Sequence, residues 1–191
     1  MDEWRKKRDI MLHYNQTAAS YDALYAKEQS AKIEAALGTV ALKRNSLMLD
    51  MGCGTGLLFP HIADKSRLLI GVDLSNRLLK QAQRRAKQHA NITLVQADAD
   101  HTPFKSRSFH NVFAITLLQN TPNPTATLRE IVRIAKPEAT IMLSILKKKS
   151  SRKLIEELLE KAQVDLTPLE TGAEIKDHII TCKKQQARSD N

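Results

Sequence analysis

One stretch constrains this chain more than any other: Leu47-Met48-Leu49-Asp50-Met51-Gly52-Cys53-Gly54-Thr55-Gly56. The apolar run Leu47 to Met51 is long enough for a buried strand. It enters three glycines spaced two apart, and Leu57-Leu58-Phe59 follows, so the segment reads as strand, tight turn, helix. Glycine suits such a turn because the backbone must take a positive φ and because a Cβ would hold a ligand away from the main chain. The turn is therefore a candidate seat for a small molecule. A dinucleotide fingerprint would place its third glycine where Leu57 stands, and no GxxxxGK[ST] phosphate loop is present. The pattern leans away from pyrophosphate.

Two more apolar runs end in acids. Leu68-Leu69-Ile70-Gly71-Val72 closes on Asp73, and Ile92-Thr93-Leu94-Val95-Gln96-Ala97 closes on Asp98. A carboxylate at the tip of the second strand can accept hydrogen bonds from both hydroxyls of a ribose. The third acid can receive an exocyclic amine. An Asp at either position also suits the cap of a following helix.

In this order and spacing, LDMGCGTG, GVDLS and QADADHTPF closely resemble the cofactor motifs of class I S-adenosylmethionine-dependent methyltransferases, over roughly Leu47 to Ile145. The resemblance implies an α/β fold: a doubly wound, seven-stranded, mostly parallel sheet with an antiparallel C-terminal strand pair and helices on both faces. It implies S-adenosylmethionine as cofactor. Gly52, Cys53, Gly54 and Gly56 would lie against its methionine part and ribose, Asp73 and Leu74 at the ribose, and Asp98 with Ala99 at the adenine. Asp50 would orient the loop or meet the amino group, and Thr116 would face the methionine portion. In similar enzymes a helix of the type HYNQTAASYDALYAKEQ crosses the cofactor and a tyrosine reaches its carboxylate. Here that tyrosine is Tyr21, for which packing between helices is the alternative.

Residues 1–42 read as a helical cap of two helices, 47–183 as the core of the same domain and 184–191 as a mobile tail. Ile10, Met11, Tyr14, Ala18, Tyr21, Leu24 and Tyr25 form one stripe, and Ile33, Ala36, Leu37 and Val40 a second. Ser75 caps a helix to about His89 with Leu78, Leu79, Ala82 and Ala86 inward. Phe104 returns to the core and Phe109 to Leu118 makes a fourth, central strand. Asn123-Pro124 opens a helix through Lys136, stopped by Pro137. Thr140 to Leu146 is a fifth strand, and Ser150 to Ala162 a helix with Leu154, Ile155, Leu158 and Leu159 on one side. Val164 to Leu169 and Ile179 to Cys182 form the antiparallel pair.

A chain of 191 residues with 42% hydrophobic and 27% charged residues is of ordinary composition for one soluble domain. No apolar run approaches a membrane span, and the charged N-terminus lacks a signal core, so a cytoplasmic protein without a membrane partner is expected. Cys53 and Cys182 offer neither a disulfide framework nor metal-ligand spacing, and no metal is expected. The net charge is +9, and Arg77, Lys80, Arg84, Arg85 and Lys87 stand in a segment without acids. Four of them, Arg77, Lys80, Arg84 and Lys87, share a helix face able to follow a phosphate backbone or simply to be solvated. Aromatic residues, at 4%, do not indicate a base-stacking platform.

A sulfonium methyl is already activated, so the protein has to bind the cofactor, align a nucleophile and exclude water. A base is needed only if the nucleophile must lose a proton first, and no catalytic residue is assigned. His13, His61 and His101 are candidate bases, for each of which a surface or packing role is the alternative. Gln119-Asn120-Thr121-Pro122-Asn123-Pro124 superficially resembles the Asn-Pro-Pro-Tyr signature of amide- and ring-nitrogen methyltransferases, but Asn123 replaces its second proline and Asn120 lies too far beyond Phe109. The chain departs from the family pattern at Phe109-His110, where Phe-Asp is common, with a suggested effect on the adenine-side loop. It departs again at Lys136-Pro137-Glu138-Ala139, where proline is followed by glycines. The stretches HYNQTAASYDALY and LLQNTPNP resemble those of small archaeal-type methyltransferases, and this resemblance implies transfer RNA or a translation protein as acceptor beside a small zinc-binding activator subunit; a small metabolite is the other expected acceptor. The alternatives are a noncatalytic subunit that keeps the fold and a nicotinamide-dependent reductase.

Overall fold

The computed structural model describes residues 2–162, 168–169 and 175–184. Two helices, α1 (Glu3–Thr17) and α2 (Tyr21–Gly38), precede β1 (Ser46–Met51). The order then runs α3 (Phe59–Ile62), β2 (Ser66–Asp73), α4 (Asn76–Ala86), β3 (Ile92–Gln96), β4 (Phe109–Ile115), α5 (Pro124–Ile134), β5 (Ala135–Leu146), α6 (Arg152–Lys161), β6 (Pro168–Leu169) and β7 (Asp177–Lys183). Across the sheet the strands lie β3-β2-β1-β4-β5-β7-β6. The first five pair parallel, and β7 runs antiparallel to β5 and β6. Six of these strands have five residues or more, and β6 is a two-residue edge fragment. Residues 163–167, 170–174 and 185–191 lie outside the described residues, and with them 164–167 of the expected strand Val164 to Leu169 and 185–191 of the expected tail.

Alternation along the central strands builds two cores. Leu49 and Met51 face the layer of α5 and α6 with Leu128, Ile131, Ile155 and Leu159. Met48 faces the opposite layer with Ile33 of α2, Phe59 and Ile62 of α3, and Leu79 and Ala82 of α4. Asp50, two residues on from Met48, falls on that second face. The strand order reverses between β1 and β4, which opens a crevice at the carboxyl ends of the strands there.

Several local expectations need correction. Leu24 is 64% exposed, because the turn Ala18–Ser20 breaks the helical phase between α1 and α2. Leu154, at 54% exposure, lies off the inward face of α6. The fourth strand ends at Ile115: Thr116 takes φ +58, and Leu118 is buried in a 3-10 turn, Leu118–Asn120. Helix α5 stops at Ile134, since a residue preceding proline disfavours helical backbone. Lys136 and Pro137 instead join β5 across a register shift between the pairs Phe109↔Ala135 and Asn111↔Thr140. There Glu138 holds φ +61, a conformation glycine takes more readily. Lys184 is anchored: its amide donates to Ala139 O at 3.0 Å and its ammonium to Val132 O and Ala135 O at 2.7 and 2.8 Å.

Candidate functional site

A cavity of about 810 Å³, including its open mouth, lies at the carboxyl ends of β1 to β4. Its floor is Gly52, Gly54, Val72, Asp73, Ala97 and Asp98, and α1 covers it with Lys7, Ile10, Met11 and Tyr14. Of the predicted residues, Tyr21, Gly52, Gly54, Asp73, Leu74, Asp98, Ala99 and Thr116 all line it. A smaller recess on the α2 side shares Tyr21, Gly52 and Gly54 and adds Asp50 and Cys53. Gly56 lines neither space. At φ +78 its hydrogen faces the Phe59 ring, where a Cβ would come within 2.5 Å, so its role is to let α3 pack.

The loop geometry follows from hydrogen bonds to its ends. Gly52 N and Cys53 N both donate to Val72 O, at 2.7 and 2.9 Å. Gly54 N donates to Asp73 Oδ2 at 2.9 Å, and Ser75 N to Asp73 Oδ1 at 2.8 Å. Asp73 thus fixes the turn while presenting its carboxylate to the cavity. Burial raises the pKa of Asp73 against these backbone bonds. Asp50 is buried, and among the described residues its carboxyl has no hydrogen-bond partner. Desolvation, with Asp73 nearby, pushes it from 3.8 to about 8. Burial likewise pushes the Cys53 thiol well up, which leaves it unreactive. Tyr21 lies between Tyr14 and Tyr25, with ring centroids at 6.3 and 5.0 Å, and burial raises its pKa.

Asp98, the expected amine acceptor, is already engaged. Lys7, only 6% exposed, places its ammonium 2.8 Å from Asp98 Oδ2 and 2.6 Å from Asp100 Oδ2. Burial opposes the charge on Lys7, and the Asp100 and Asp98 carboxylates outweigh it, so its pKa stands above the ordinary lysine value. Asp100 N donates to Asp98 Oδ1 at 3.0 Å. At the other end of α1, Asn15 Oδ1 accepts from Ser75 Oγ at 2.7 Å and Arg77 N at 3.2 Å, just where α4 begins. Helix α1 therefore spans the cavity and is fastened at both ends.

Thr116 borders a buried polar cluster. Its amide donates to Ser144 Oγ at 2.8 Å, and its hydroxyl reaches Gln29 Oε1 and Asp177 Oδ2, each at 3.4 Å. Lys32 neutralises Asp177 at 3.0 Å. These contacts hold a β-branched residue in a left-handed conformation it otherwise avoids. Asn120, Thr121 and Pro122 form the adjacent wall, and Asn120 Nδ2 donates to Thr116 O at 2.8 Å.

Sequence reasoning missed Lys7 and a tripod beneath the loop. Thr55 Oγ1 donates to Asp22 Oδ1 at 2.6 Å, and Arg85 bridges Asp22 Oδ2 and Thr55 O, both at 2.9 Å. These partners are distant in sequence, and only the odd position of Arg85 off the basic face hinted at them. His13, His61 and His101 do not line the cavity. His110 lies at the opposite end of the sheet from the site, accepting from Leu47 N at 3.1 Å and meeting Lys136 Nζ at 3.0 Å. It supports the start of β1 and not the adenine-side loop. Among the described residues no three His, Cys, Asp or Glu side chains converge as a metal site requires, and no helix is long and apolar enough to cross a membrane.

A family profile described as "Methyltransferase domain" matches residues 49–143. The malonyl-[acyl-carrier protein] O-methyltransferase of Marinomonas sp. is 30% identical over 142 residues, covering 73% of this chain and 52% of that protein. The chain spans about half the length of the curated relatives it matches. Among solved structures, a chain of the complex between the Haloferax volcanii Trm112 methyltransferase activator and a methyltransferase superposes with a TM-score of 0.76 at 16% identity, over 91% of this chain and 98% of that one. A SAM-dependent methyltransferase from Aquifex aeolicus gives 0.70 at 17% identity, over 96% and 99%. At these identities the two structures attest the fold. The ordered motifs, the crevice they line and the matches taken together make the chain a member of the class I family of methyltransferases, whose cofactor is S-adenosylmethionine.

Proposed function

We propose that this chain passes the methyl group of S-adenosylmethionine by direct displacement to an acceptor entering beside Asn120, Thr121 and Pro122. The observation that carries the reading is the set of three acids spaced around one glycine turn, Asp73 and Asp98 beneath α1 and Asp50 on the α2 side. The residues suit the cofactor chemically. Asp73 with Leu74 would hold the ribose hydroxyls, and Asp98 with Ala99 the adenine amine. Tyr21, Gly52, Gly54 and Thr116 would hold the methionine portion, with Asp50 and Cys53 beneath it at the amino group. A Cβ on Gly54 would meet nothing within 4 Å, so its bare backbone leaves cavity space for a ligand. When bound, the cofactor supplies an activated methyl. The chain's own part is to orient it, to keep water out with Ile10, Met11 and Tyr14, and to align the nucleophile.

For the acceptor, the charge distribution favours RNA or a translation protein. Arg77, Lys80 and Arg84 are exposed on α4 and Lys87 at its C-cap, the first turn of α4 borders the cavity, and no carboxylate among the described residues pairs with these four. Among the described residues strand β3 pairs only with β2, leaving an edge that a small partner's strand could extend. The Haloferax relative is recorded in a complex with an activator protein, which supports a partner of that kind here. A small-molecule acceptor is the second reading, supported by relatives named for malonyl-carrier and demethylmenaquinone methylation.

The test is calorimetric titration with S-adenosylmethionine and S-adenosylhomocysteine, followed by binding of bulk transfer RNA. Micromolar binding of both ligands is expected, as is an RNA affinity that falls steeply with salt and weakens when Arg77, Lys80 and Arg84 are neutralised. No cofactor binding, alone or after co-purification with a partner, refutes the enzyme reading. A flat salt response refutes the RNA acceptor.

A further inference from the structure

We infer that His110 and Lys136 form a phosphate-binding site at the amino ends of the parallel strands, with Lys43 and Arg67 beside it. The site lies at the opposite end of the sheet from the crevice and stands whether or not the cofactor reading does.

A contact between two donors carries the inference. Leu47 N donates to His110 Nδ1 at 3.1 Å. An imidazole that accepts at Nδ1 is neutral and carries its one proton on Nε2. That Nε2 stands 3.0 Å from Lys136 Nζ, and an ammonium offers donors alone. Turning the ring over would relieve this contact only by setting a C–H against Leu47 N. An oxyanion reconciles all the partners. One oxygen about 2.8 Å from each nitrogen closes a near-equilateral triangle with them, and both bonds to it are charge-assisted.

The surroundings carry the same sign. Lys43 stands just ahead of β1, Arg67 is second in β2, His110 second in β4 and Lys136 second in β5, and these four strands are neighbours in the sheet. Register pairs Ser46 with Ser66, Met48 with Asn111 and Phe109 with Ala135, so the strand starts are level. Burial and the charges of Lys136, Lys43 and Arg67 hold the pKa of His110 below its ordinary value, in keeping with a neutral ring. Elsewhere Lys7, Lys32 and Arg85 each meet an aspartate. Here no carboxylate among the described residues pairs with Lys43, Arg67 or Lys136: Glu130 is taken by Arg133, and Asp64 and Glu138, the next acids along these segments, form no ion pair. A phosphate has the charge and the tetrahedral oxygens to accept from Nε2 and Nζ on one side and to face the outer cations on the other. Its source is either inorganic phosphate or a phosphodiester of an RNA strand.

The experiment is 15N NMR of the histidine rings in the full chain, with the His110 signals identified by their loss in His110→Gln. Inorganic phosphate is titrated against sodium chloride at matched ionic strength. Phosphate should shift the His110 Nε2–H resonance saturably and slow its exchange with water, and chloride should not. Lys136→Met should weaken the phosphate response roughly tenfold, and Arg67→Gln should weaken it by less. A short single-stranded RNA separates the sources. If the ligand is a phosphodiester, RNA moves the same resonance, and Lys136→Met lowers the salt slope of RNA binding by about one. If inorganic phosphate alone moves it, the ligand is the small ion. Equal responses to phosphate and chloride, no response to phosphate or RNA, or a phosphate response unchanged in Lys136→Met would each overturn the inference.

Discussion

Replacing Asp50 by Asn probes the energetics of the site directly. Burial and the neighbouring Asp73 move the Asp50 carboxyl from 3.8 to about 8. Below the lower value both folded and unfolded chains are protonated at this residue, and the position costs nothing. Between the two values the unfolded chain has released a proton that the folded chain retains, so stability falls as pH rises and levels off above the folded pKa. Each pH unit in that window is worth about 1.4 kcal/mol, which sets a ceiling of roughly 4 kcal/mol at pH 7, with relaxation around the carboxyl expected to reduce it to about 2–3. Asn has the shape of a protonated Asp and does not titrate, so the variant should match wild type near pH 4 and become progressively more stable towards pH 8. Urea unfolding of both proteins at several pH values reads the difference directly, because other titrating groups largely cancel. In the cofactor reading, an ammonium beside Asp50 reverses the shift. Binding of S-adenosylhomocysteine at pH 7 should then release close to one proton, seen as a dependence of binding enthalpy on buffer ionisation, and Asp50→Asn should abolish that release while weakening affinity. A stability difference independent of pH would refute the argument for a protonated Asp50.

Two glycines of one loop should separate stability from binding. Gly56→Ala drives a Cβ to within 2.5 Å of the Phe59 ring at φ +78 and should cost about 2–4 kcal/mol in thermal or urea unfolding. Gly54→Ala, with nothing within 4 Å of its Cβ, should cost only about 1 kcal/mol for its positive φ yet lower cofactor affinity more than tenfold. Asp73→Ala should abolish measurable cofactor binding by calorimetry, and unchanged affinity would remove it from the ribose site. Ser75→Ala deletes the side-chain cap to Leu78 N and the bond to Asn15, and should lower stability by about 1–2 kcal/mol.

What is legible in the sequence is whatever rests on local pattern. Leu78, Leu79, Ala82 and Ala86 are all buried on α4, Ser75 caps it, and Asn123-Pro124 opens α5, because capping and amphipathic spacing are decided within one turn of helix. The glycine turn and its acids are readable for the same reason. Contacts between distant segments are not. Nothing in RKKRD marks Lys7 as the buried member of that run, and nothing in SYDALY marks Asp22 as a post for Thr55 and Arg85. The end of the fourth strand is hidden too, since apolar residues continue past Ile115 to Leu118 while a left-handed Thr116, held by Ser144 from another strand, turns the chain aside. By its spacing Gly56 reads as a ligand contact, and only three-dimensional packing reveals Phe59 behind it.

The bonds of Asn15 to Ser75 and Arg77 join the cavity's cover to the first turn of the basic helix. Both bonds end on Asn15 Oδ1, one from the Ser75 hydroxyl and one from the Arg77 backbone amide, so a ligand that shifts the first turn of α4 and one that lies under α1 would act on the same junction. Any free energy the first added to the observed placement of α1 would be shared with the second, and such an exchange is symmetric: the factor by which an acceptor tightens the cofactor equals the factor by which the cofactor tightens the acceptor. Order of binding would then be a matter of kinetics, with the ternary complex equally stable by either route.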